Sequence, residues 1–523
     1  MTNEPKQASG ISTDRLLAGI VVALTITLWL LWSGSLLLSN DEFLSFYTDS
    51  VPTAAGIIAV QLHYPISLDP PAYHLLSHFS MDLIGRNATA LRLPALAGFL
   101  LLELALFSLV RRLAGSRSAV VAMLFPVLTA SFDYTVEGRP YSLLLGLYAV
   151  AFLCWFVASQ TCRTSSRILA LAGLVTSIAL AITSHYFGVL ILIPVSCAEL
   201  ARVIQRRRLD PGITIALVLG AAFIALVLPF QHGLAPYRAH YYVKQVTVHN
   251  ISQGYRELFV RYTTWPMPMQ RLAALLLVLA TLALAIATYR RFRDKPASEP
   301  TSLWCGLVAL TALPFFGFLL GRFVTHTMEV RYVIATLIAF AVCIGLVLEA
   351  RLRSNAFYYG LFIAMVFIAI LGCGHSIRLE RRNTANILES LHITPQLAAV
   401  LAAHPGDRIY IQTLDKFYQD AYYTPDPALR ARFSLVYDQD REIHWLDHDT
   451  NYVTAVNMSH FTQLSTTPYT ALLTQREPIV ISYKSGWPWI YEELSATHIP
   501  MRSLGPALGG AALEIYPLAA QTR

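Results

Sequence analysis

The sequence contains few charged residues: Asp, Glu, Lys and Arg make up 14% of its 523 residues, against 55% hydrophobic residues. A soluble protein carries about a quarter charged residues, so this composition excludes an ordinary soluble globular protein. The deficit is local, because long runs of Leu, Ala, Val, Ile and Phe contain no charge. Such runs are typical of membrane spans of roughly 17–25 residues. A span in lipid must be helical to satisfy its backbone polar groups.

Cysteine is also scarce. The six cysteines lie in or beside apolar runs and not in the long polar segments, so neither a disulfide framework nor a cysteine metal site is expected. No A-x-A cleavage pattern follows the first apolar run, which we therefore interpret as a retained helix. The net charge of +7 does not indicate nucleic acid binding, because the basic residues cluster between apolar runs as in a multi-pass membrane protein.

Eleven apolar runs predict eleven transmembrane helices, whose approximate bounds are 16–38, 91–109, 118–131, 140–158, 168–183, 186–200, 212–230, 272–289, 303–320, 332–348 and 357–374. Alternate short loops hold clusters of Arg and Lys, from Arg111 and Arg112 to Arg351 and Arg353. By the positive-inside rule these loops are cytoplasmic. The sequence therefore predicts a cytoplasmic N-terminus, with the chain from about residue 375 outside.

The predicted domains are a transmembrane domain over residues 1–374, whose first outer loop is 39–90, and a soluble extracytoplasmic domain over 375–523. The second domain contains short β-rich runs at 408–412, 433–437, 452–456, 479–483 and 513–516, with helix-like stretches at 384–403 and 427–432. It has no glycine-rich phosphate loop and no nucleophile elbow. The predicted fold class is a polytopic α-helical membrane protein with a small C-terminal α/β domain.

The first outer loop contains acidic and histidine residues but no Lys or Arg between residues 41 and 82. Asp41 and Glu42 come just after the outer end of the first span. A carboxylate held there can take a proton from an acceptor hydroxyl, and such general-base help is worth roughly 10²–10⁴ in rate. A solvated helix exit is the alternative for this pair.

The same loop contains Asp69-Pro70-Pro71-Ala72-Tyr73-His74. The two prolines fix the backbone after Asp69 and predict a new helix from Ala72 to about residue 83. Asp69 and His74 together are a candidate site for a divalent cation. The alternative for Asp69 is a helix N-cap.

Several arginines lie on the predicted outer side, against the positive-inside trend. Arg139 lies in a short turn between spans, and Arg331 precedes Tyr332 at the mouth of another span. Guanidinium groups there suit the phosphate of a lipid carrier, while snorkelling to lipid headgroups is the alternative. His185, in a tight turn facing the same side, is either a cation ligand or an interface residue.

Taken in order, these passages resemble the GT-C class of polyprenyl-phosphate-sugar glycosyltransferases. The resemblance is to the bacterial branch related to protein O-mannosyltransferases, aminoarabinose transferases and the Rgt-type transferases of lipopolysaccharide core. The passages are Asn40-Asp41-Glu42, Asp69-Pro70-Pro71-Ala72-Tyr73-His74, Arg92-Leu93-Pro94-Ala95-Leu96, Glu137-Gly138-Arg139-Pro140-Tyr141, His185-Tyr186-Phe187-Gly188 and Arg331-Tyr332. The match is good over residues 16–200, looser as far as Tyr332, and absent from the tail.

This resemblance implies an enzyme of the bacterial inner membrane. It would transfer a sugar, with inversion, from a polyprenyl-phosphate donor to a hydroxyl of a glycan, lipid or protein on the outer face of that membrane. It implies that Asp41, supported by Glu42, activates the acceptor. It also implies substrate contacts by Arg139, Arg331, Tyr332, Tyr73 and His74. Some members of the class hold a divalent metal, for which Asp69 and His185 are the candidates here. Asp69 departs from the His or Glu-Lys that more usually precedes the double proline.

Two rival functions stay open at this point. A transporter would place ionisable residues or broken helices near the middle of the membrane, and Glu103 with Pro126, Pro194 and Pro314 are the candidates. A non-catalytic membrane scaffold, with the tail as a binding module, is the second rival. The polar residues lie mainly outside the spans, which disfavours a transporter.

Overall fold

The computed structural model describes residues 13–515, apart from 162, 238–239, 241–245, most of 260–299, 392, 404–406, 476, 485–488 and 508–509. The described chain divides into two compact units. The helical unit comprises Met1–Ser33, Arg92–Val227 and Gln245–His375. The mixed unit comprises Gly34–Leu91, Leu228–Lys244 and Ser376–Arg523.

Most of the described chain is helical. The helices up to residue 259 are α1 (Thr13–Ser33), α2 (Asn40–Asp49), α3 (Ala54–His63), α4 (Pro71–Ile84), α5 (Ala88–Leu124), α6 (Tyr141–Gln160), α7 (Thr164–Ser184), α8 (Leu192–Arg206), α9 (Pro211–Ala222), α10 (Ile224–Val227), α11 (Phe230–Gly233) and α12 (His249–Phe259). The later helices are α13 (Pro300–Thr311), α14 (Leu313–Leu320), α15 (Thr336–Leu352), α16 (Asn355–Ser390), α17 (Pro395–Ala403), α18 (Leu414–Tyr423), α19 (Pro427–Arg430), α20 (Gln439–Leu446), α21 (Thr450–Ser459), α22 (Tyr469–Leu473) and α23 (Trp489–Ala496).

The apolar runs that the structure describes form helices, mainly in the helical unit. Among the described residues, 7 helices are long and apolar enough to cross a membrane, or 8 if a pair bent by 53° at Ala312 counts as one span. The span at Ala88–Leu128 covers two predicted spans, 91–109 and 118–131. It is interrupted between them at Gly115, whose φ of 83° is not helical. The polytopic helical class is therefore confirmed. The number eleven stays a prediction, since the predicted span at 272–289 falls mostly outside the described residues.

Two hydrogen bonds fix the end of α1 within the helical unit. The Trp29 indole N–H donates to the carbonyl of Thr135 at 2.8 Å. The completely buried Arg92 donates to the carbonyl of Ser33, the last residue of α1, also at 2.8 Å. Cationic donors at a helix C-terminus satisfy its free carbonyls and oppose the negative end of the helix dipole. Arg92, part of the family resemblance, thus has a structural role at this position.

The mixed unit contains a six-stranded sheet in the order β3-β2-β1-β4-β6-β5. Its strands are β1 (Ile409–Ile411), β2 (Phe433–Tyr437), β3 (Thr466–Pro468), β4 (Ile479–Tyr483), β5 (Met501–Ala507) and β6 (Gly510–Ile515). β1 to β4 pair in parallel, with Ile409 opposite both Phe433 and Val480, and β6 is antiparallel to β4 and β5. Ile409 and Ile411 belong to one apolar cluster and Tyr410 to another, as expected when helices cover both faces of a sheet. The predicted C-terminal α/β fold is therefore confirmed.

One predicted strand is wrong. Residues 452–456 lie inside α21, although their run of Tyr, Val and Thr favours a strand. The buried residues of α21 include Val453, Thr454, Asn457 and Met458, which recur at the spacing of one helix face. Packing of that face overrides the local β-propensity. Strands β3 and β5 were not predicted from the sequence.

The first outer loop folds into three helices, α2, α3 and α4, and groups with the C-terminal strands in the mixed unit. The sequence places this loop in the transmembrane domain, with a boundary at residue 374. In the structure the boundary of the helical unit at His375 lies next to that position, while Gly34–Leu91 is part of the mixed unit.

Candidate functional site

Helix α2 carries the Asp41-Glu42 pair in its first turn. Ser39 is the N-cap: its hydroxyl accepts the Glu42 N–H at 3.3 Å, and the Glu42 carboxylate accepts the Ser39 N–H at 3.0 Å. This reciprocal capping box explains why Glu42 is buried at 2% exposure. Asp41 is half-buried. The geometry gives Glu42 a structural role at the start of α2, and Asp41 lies beside it in the same turn.

The other end of α2 is tied to α4 by a fully buried polar cluster. Asp49 Oδ1 lies 2.5 Å from Nδ1 of His74, and the Ser77 hydroxyl donates to Oδ2 of Asp49. Nδ1 of His78 lies 2.8 Å from the Asp49 carbonyl oxygen. Burial raises the pKa of Asp49, and the neighbouring His74 and Ser77 oppose that rise. His74, predicted to contact substrate, is completely buried and engaged with Asp49.

The double proline starts α4 as predicted. Pro70 is the N-cap and Pro71 the first helical residue, a position that tolerates the missing N–H. No side chain makes a capping hydrogen bond there, so the alternative N-cap role of Asp69 is wrong. Asp69 is buried at 7% exposure, and its carbonyl accepts from the Gln61 side chain at 3.3 Å. Tyr73 is fully buried, with its hydroxyl 3.4 Å from the Leu91 carbonyl oxygen.

In the helical unit two arginines converge on one aromatic ring. Tyr141, buried at 1% exposure, begins α6. The guanidinium carbons of Arg139 and Arg331 lie 5.9 Å and 5.0 Å from its ring centroid. Both distances are within the range of cation–π attraction. The structure thus brings together two residues that lie 192 positions apart in the sequence. Both are predicted from the sequence as phosphate ligands.

His185 and Tyr332 belong to the same cluster. The His185 ring centroid lies 4.8 Å from that of Tyr332 and 5.6 Å from that of Tyr141. Nδ1 of His185 accepts the N–H of Phe187 at 3.1 Å. Because a neutral imidazole has one donor and one acceptor nitrogen, this bond places the proton on Nε2. In this tautomer His185 offers an N–H donor, which suits a phosphate oxygen better than a metal ion.

The described residues do not form a three-ligand metal centre. No group of three or more His, Cys, Asp or Glu side chains that could hold a metal ion occurs in the described part of the chain. Asp69 and His185 belong to different units. Their role as metal ligands stays a prediction.

The sequence does not predict two residues of this site. Tyr141 lies in the motif Glu137-Gly138-Arg139-Pro140-Tyr141 but is not among the predicted site residues, although an aromatic ring two positions after Arg139 is a cation–π signal. Asp49 was noted only as one of the acids of the loop. No sequence signal pairs it with His74, which lies 25 positions further along a different helix.

Comparisons with known proteins support the family resemblance over part of the chain. Residues 69–230 match the family described as dolichyl-phosphate-mannose-protein mannosyltransferase. This segment contains Asp69, Arg139 and His185, whereas Asp41 and Arg331 lie outside it. No curated protein matches the sequence.

Solved structures show the fold. ArnT from Cupriavidus metallidurans bound to undecaprenyl phosphate matches with a TM-score of 0.57 at 14% identity, over 96% of this chain and 98% of that chain. Its apo state matches with a TM-score of 0.55 at 14% identity, over 95% and 98%. The apo oligosaccharyltransferase of Archaeoglobus fulgidus gives a TM-score of 0.46 at 11% identity, over 80% and 64%. The chain therefore has the fold of ArnT, the GT-C type of fold that the resemblance predicts, and its residues 69–230 match the mannosyltransferase family.

Proposed function

We propose that this chain is a membrane glycosyltransferase that moves a sugar from a polyprenyl-phosphate donor to an acceptor hydroxyl on the outer face of a bacterial inner membrane. The observation that carries this proposal is the convergence of Arg139 and Arg331 on the ring of Tyr141, at 5.9 Å and 5.0 Å. Two guanidinium groups lie against one buried ring, and a guanidinium group can bind two phosphate oxygens at once. The phosphate of a lipid carrier is the ligand that we propose for this pair.

The comparisons support this choice of donor. ArnT, whose fold the chain shares, has been crystallised bound to undecaprenyl phosphate. The family matched by residues 69–230 is described as using a dolichyl-phosphate sugar. Both compounds are long-chain lipid phosphates. The acceptor stays open among glycan, lipid and protein hydroxyls.

The proposed reaction is a single displacement. The acceptor oxygen attacks the anomeric carbon, and the bond from that carbon to the phosphate oxygen breaks with its electron pair moving to the phosphate. The proton of the acceptor hydroxyl passes to the Asp41 carboxylate, and attack from the opposite face inverts the anomeric centre. Arg139 and Arg331 stabilise the charge that develops on the leaving polyprenyl phosphate, as positioned cations do in phosphoryl and glycosyl transfer. The Nε2–H of His185 and the side chains of Tyr332 and Tyr73 are further candidates for substrate contact.

Replacement of Asp41 by Asn tests the proposal. The purified full chain would be given undecaprenyl phosphate carrying labelled mannose, glucose or aminoarabinose, with an envelope extract from cells lacking the protein as acceptor. We expect the wild type to use one of these donors, and Asp41→Asn to lose at least about 10²-fold in rate, the usual worth of a general base. Asp82→Asn is the matched control, because the Asp82 side chain is 53% exposed. Full activity of Asp41→Asn, at an unchanged unfolding temperature, would exclude the proposed role.

The transporter alternative has less support in the structure. Glu103, the clearest charge inside a span, accepts a hydrogen bond from Thr25 at 2.5 Å, and this contact joins α5 to α1. A buried acid that joins two helices has a packing role. If deletion of the gene abolished uptake of a defined solute and left the surface glycans unchanged, transport would replace sugar transfer as the proposed function.

A further inference from the structure

The entry to α2 is held by side chains from the chain after residue 376. The Ser35 hydroxyl accepts from Arg381 Nε at 3.0 Å, and the Ser35 carbonyl accepts from the Thr384 hydroxyl at 2.9 Å. Three residues later, the Leu38 N–H donates to the Tyr423 hydroxyl at 2.7 Å. All these residues belong to the mixed unit. The backbone that leads into the Ser39 capping box is therefore fixed before Asp41 is reached.

The side of α2 is fixed as well, by the aromatic rings of α18. The Phe43 ring centroid lies 5.4 Å from Tyr418, 5.6 Å from Tyr422 and 6.1 Å from Tyr423. Phe46 and Tyr47 extend the contact, at 5.3 Å from Tyr422 and 5.4 Å from Tyr418. Edge-to-face and offset pairs at these distances each add roughly 0.5–1.5 kcal/mol beyond simple burial. Such a cluster opposes both rotation and sliding of α2.

We propose that Arg381, Thr384 and the aromatic rings of α18 position Asp41 for catalysis, with Tyr423 as the principal positioning residue. The inference rests on the proposed function, because it takes Asp41 as the proton acceptor. Asp41 lies three residues after Leu38, so a shift of that backbone moves the carboxylate with it. A misplacement of about 1 Å can cost as much as 10²-fold in rate, even when the substituted residue does not touch the substrate. The α/β tail is then part of the catalytic apparatus and not a separate binding module.

The test uses Tyr423→Phe in the full chain, which removes the hydroxyl bonded to Leu38 and keeps the ring that packs on Phe43. The loss of one hydrogen bond corresponds to roughly a threefold to tenfold effect. We expect kcat to fall by that factor while the KM for the lipid donor stays unchanged. Thr384→Val, which removes the bond to Ser35, is expected to give a fall of the same kind. A purely structural role would lower the folded fraction without changing kcat per folded molecule, so the folded fraction would be measured by gel filtration at the assay temperature.

Tyr422→Phe is the matched control. Its ring packs on α2 like that of Tyr423. Its hydroxyl makes no hydrogen bond among the described contacts, and burial is the cause of its raised pKa. We expect it to keep the wild-type kcat. If Asp41→Asn is inactive but Tyr423→Phe keeps the wild-type kcat, or if Tyr422→Phe loses as much as Tyr423→Phe, the positioning role is excluded. If Asp41→Asn is active, or the wild type uses none of the undecaprenyl-phosphate sugars, the proposed function itself fails.

Discussion

Asp49 Oδ1 lies 2.5 Å from Nδ1 of His74, and both side chains have 0% exposure. This contact joins the end of α2 to α4. Removing one member of a buried hydrogen-bonded pair leaves the other polar group unsatisfied and costs about 1–3 kcal/mol. We therefore expect Asp49→Ala to lower the free energy of unfolding by that amount. Asp49→Asn should cost less, because the amide oxygen can still accept from His74.

Thermal unfolding in detergent, followed by intrinsic fluorescence, measures this effect. Asp82→Ala is the control, since Asp82 pairs with His78 at 3.2 Å but its side chain is 53% exposed. Exposed pairs are worth about 0–1 kcal/mol. Equal losses of stability in Asp49→Ala and Asp82→Ala would contradict a special role of the buried pair.

The arginines on Tyr141 should determine the affinity for lipid phosphate. Lysine retains the charge but loses the paired hydrogen bonds and the stacking of a guanidinium group. We expect Arg139→Lys and Arg331→Lys each to weaken binding of undecaprenyl phosphate roughly tenfold, the effect of losing about one charge-assisted hydrogen bond. The Kd would be measured by competition with a fluorescent polyprenyl phosphate. Arg353→Lys, at a side chain 79% exposed, is the control, and an equal loss there would show a nonspecific effect of replacing arginine by lysine.

Glu442 should make the stability of the mixed unit depend on pH. Burial raises its pKa to about 8, with smaller increases from Asp449 and Asp438, against the bond from the Tyr452 N–H. Between the ordinary pKa of about 4.5 and this folded value, the folded state holds a proton that the unfolded state has lost. Stability therefore falls as the pH rises through this window.

Glu442→Gln remains neutral at every pH and can still accept from Tyr452. We expect its unfolding temperature to match that of the wild type near the low-pH end of the window and to exceed it by several degrees at the high-pH end, because each unit of pKa shift is worth about 1.4 kcal/mol. Glu492→Gln, at an exposed position, should show no such difference. Parallel pH profiles of wild type and Glu442→Gln would rule out this account.

The sequence predicts those features that depend on neighbouring residues. The double proline predicts a helix at 72–83, and α4 extends from Pro71 to Ile84, because proline suits the first helical position. Asp41 follows the first span as expected. The capping box could also have been recognised, since Ser39 and Glu42 have the characteristic spacing.

The sequence does not predict the features that depend on distant packing. The Tyr423 hydroxyl bonds to a backbone N–H 385 positions away, and no local pattern specifies that pairing. The helix at Thr450–Ser459 has strand-like residues, but its burial on one face decides its structure. Asp49 looks in the sequence like one more exposed acid of the loop. Only the fold shows that it is completely buried beside His74.

Two glycines set the packing of α5 against α6, the helix that begins with Tyr141. A Cβ added at Gly146 would lie 2.0 Å from the carbonyl oxygen of Gly98, and one added at Gly98 would lie 2.2 Å from the Cα of Leu143. Small residues allow such close approach of helix backbones in membranes. Because the obstructing atoms are backbone, they cannot move aside as a flexible side chain can.

We expect Gly146→Ala to lower the free energy of unfolding by about 1–3 kcal/mol, the usual cost of overpacking, and to lower the unfolding temperature in detergent. Because the displaced helix carries Tyr141, binding of undecaprenyl phosphate should weaken as well. Gly360→Ala is the matched control, since a Cβ there meets nothing within 4 Å. Alanine is the better helix former by up to about 1 kcal/mol, so that variant should be unchanged or slightly more stable. If both variants behaved alike, helix propensity and not the close contact of α5 with α6 would determine the outcome.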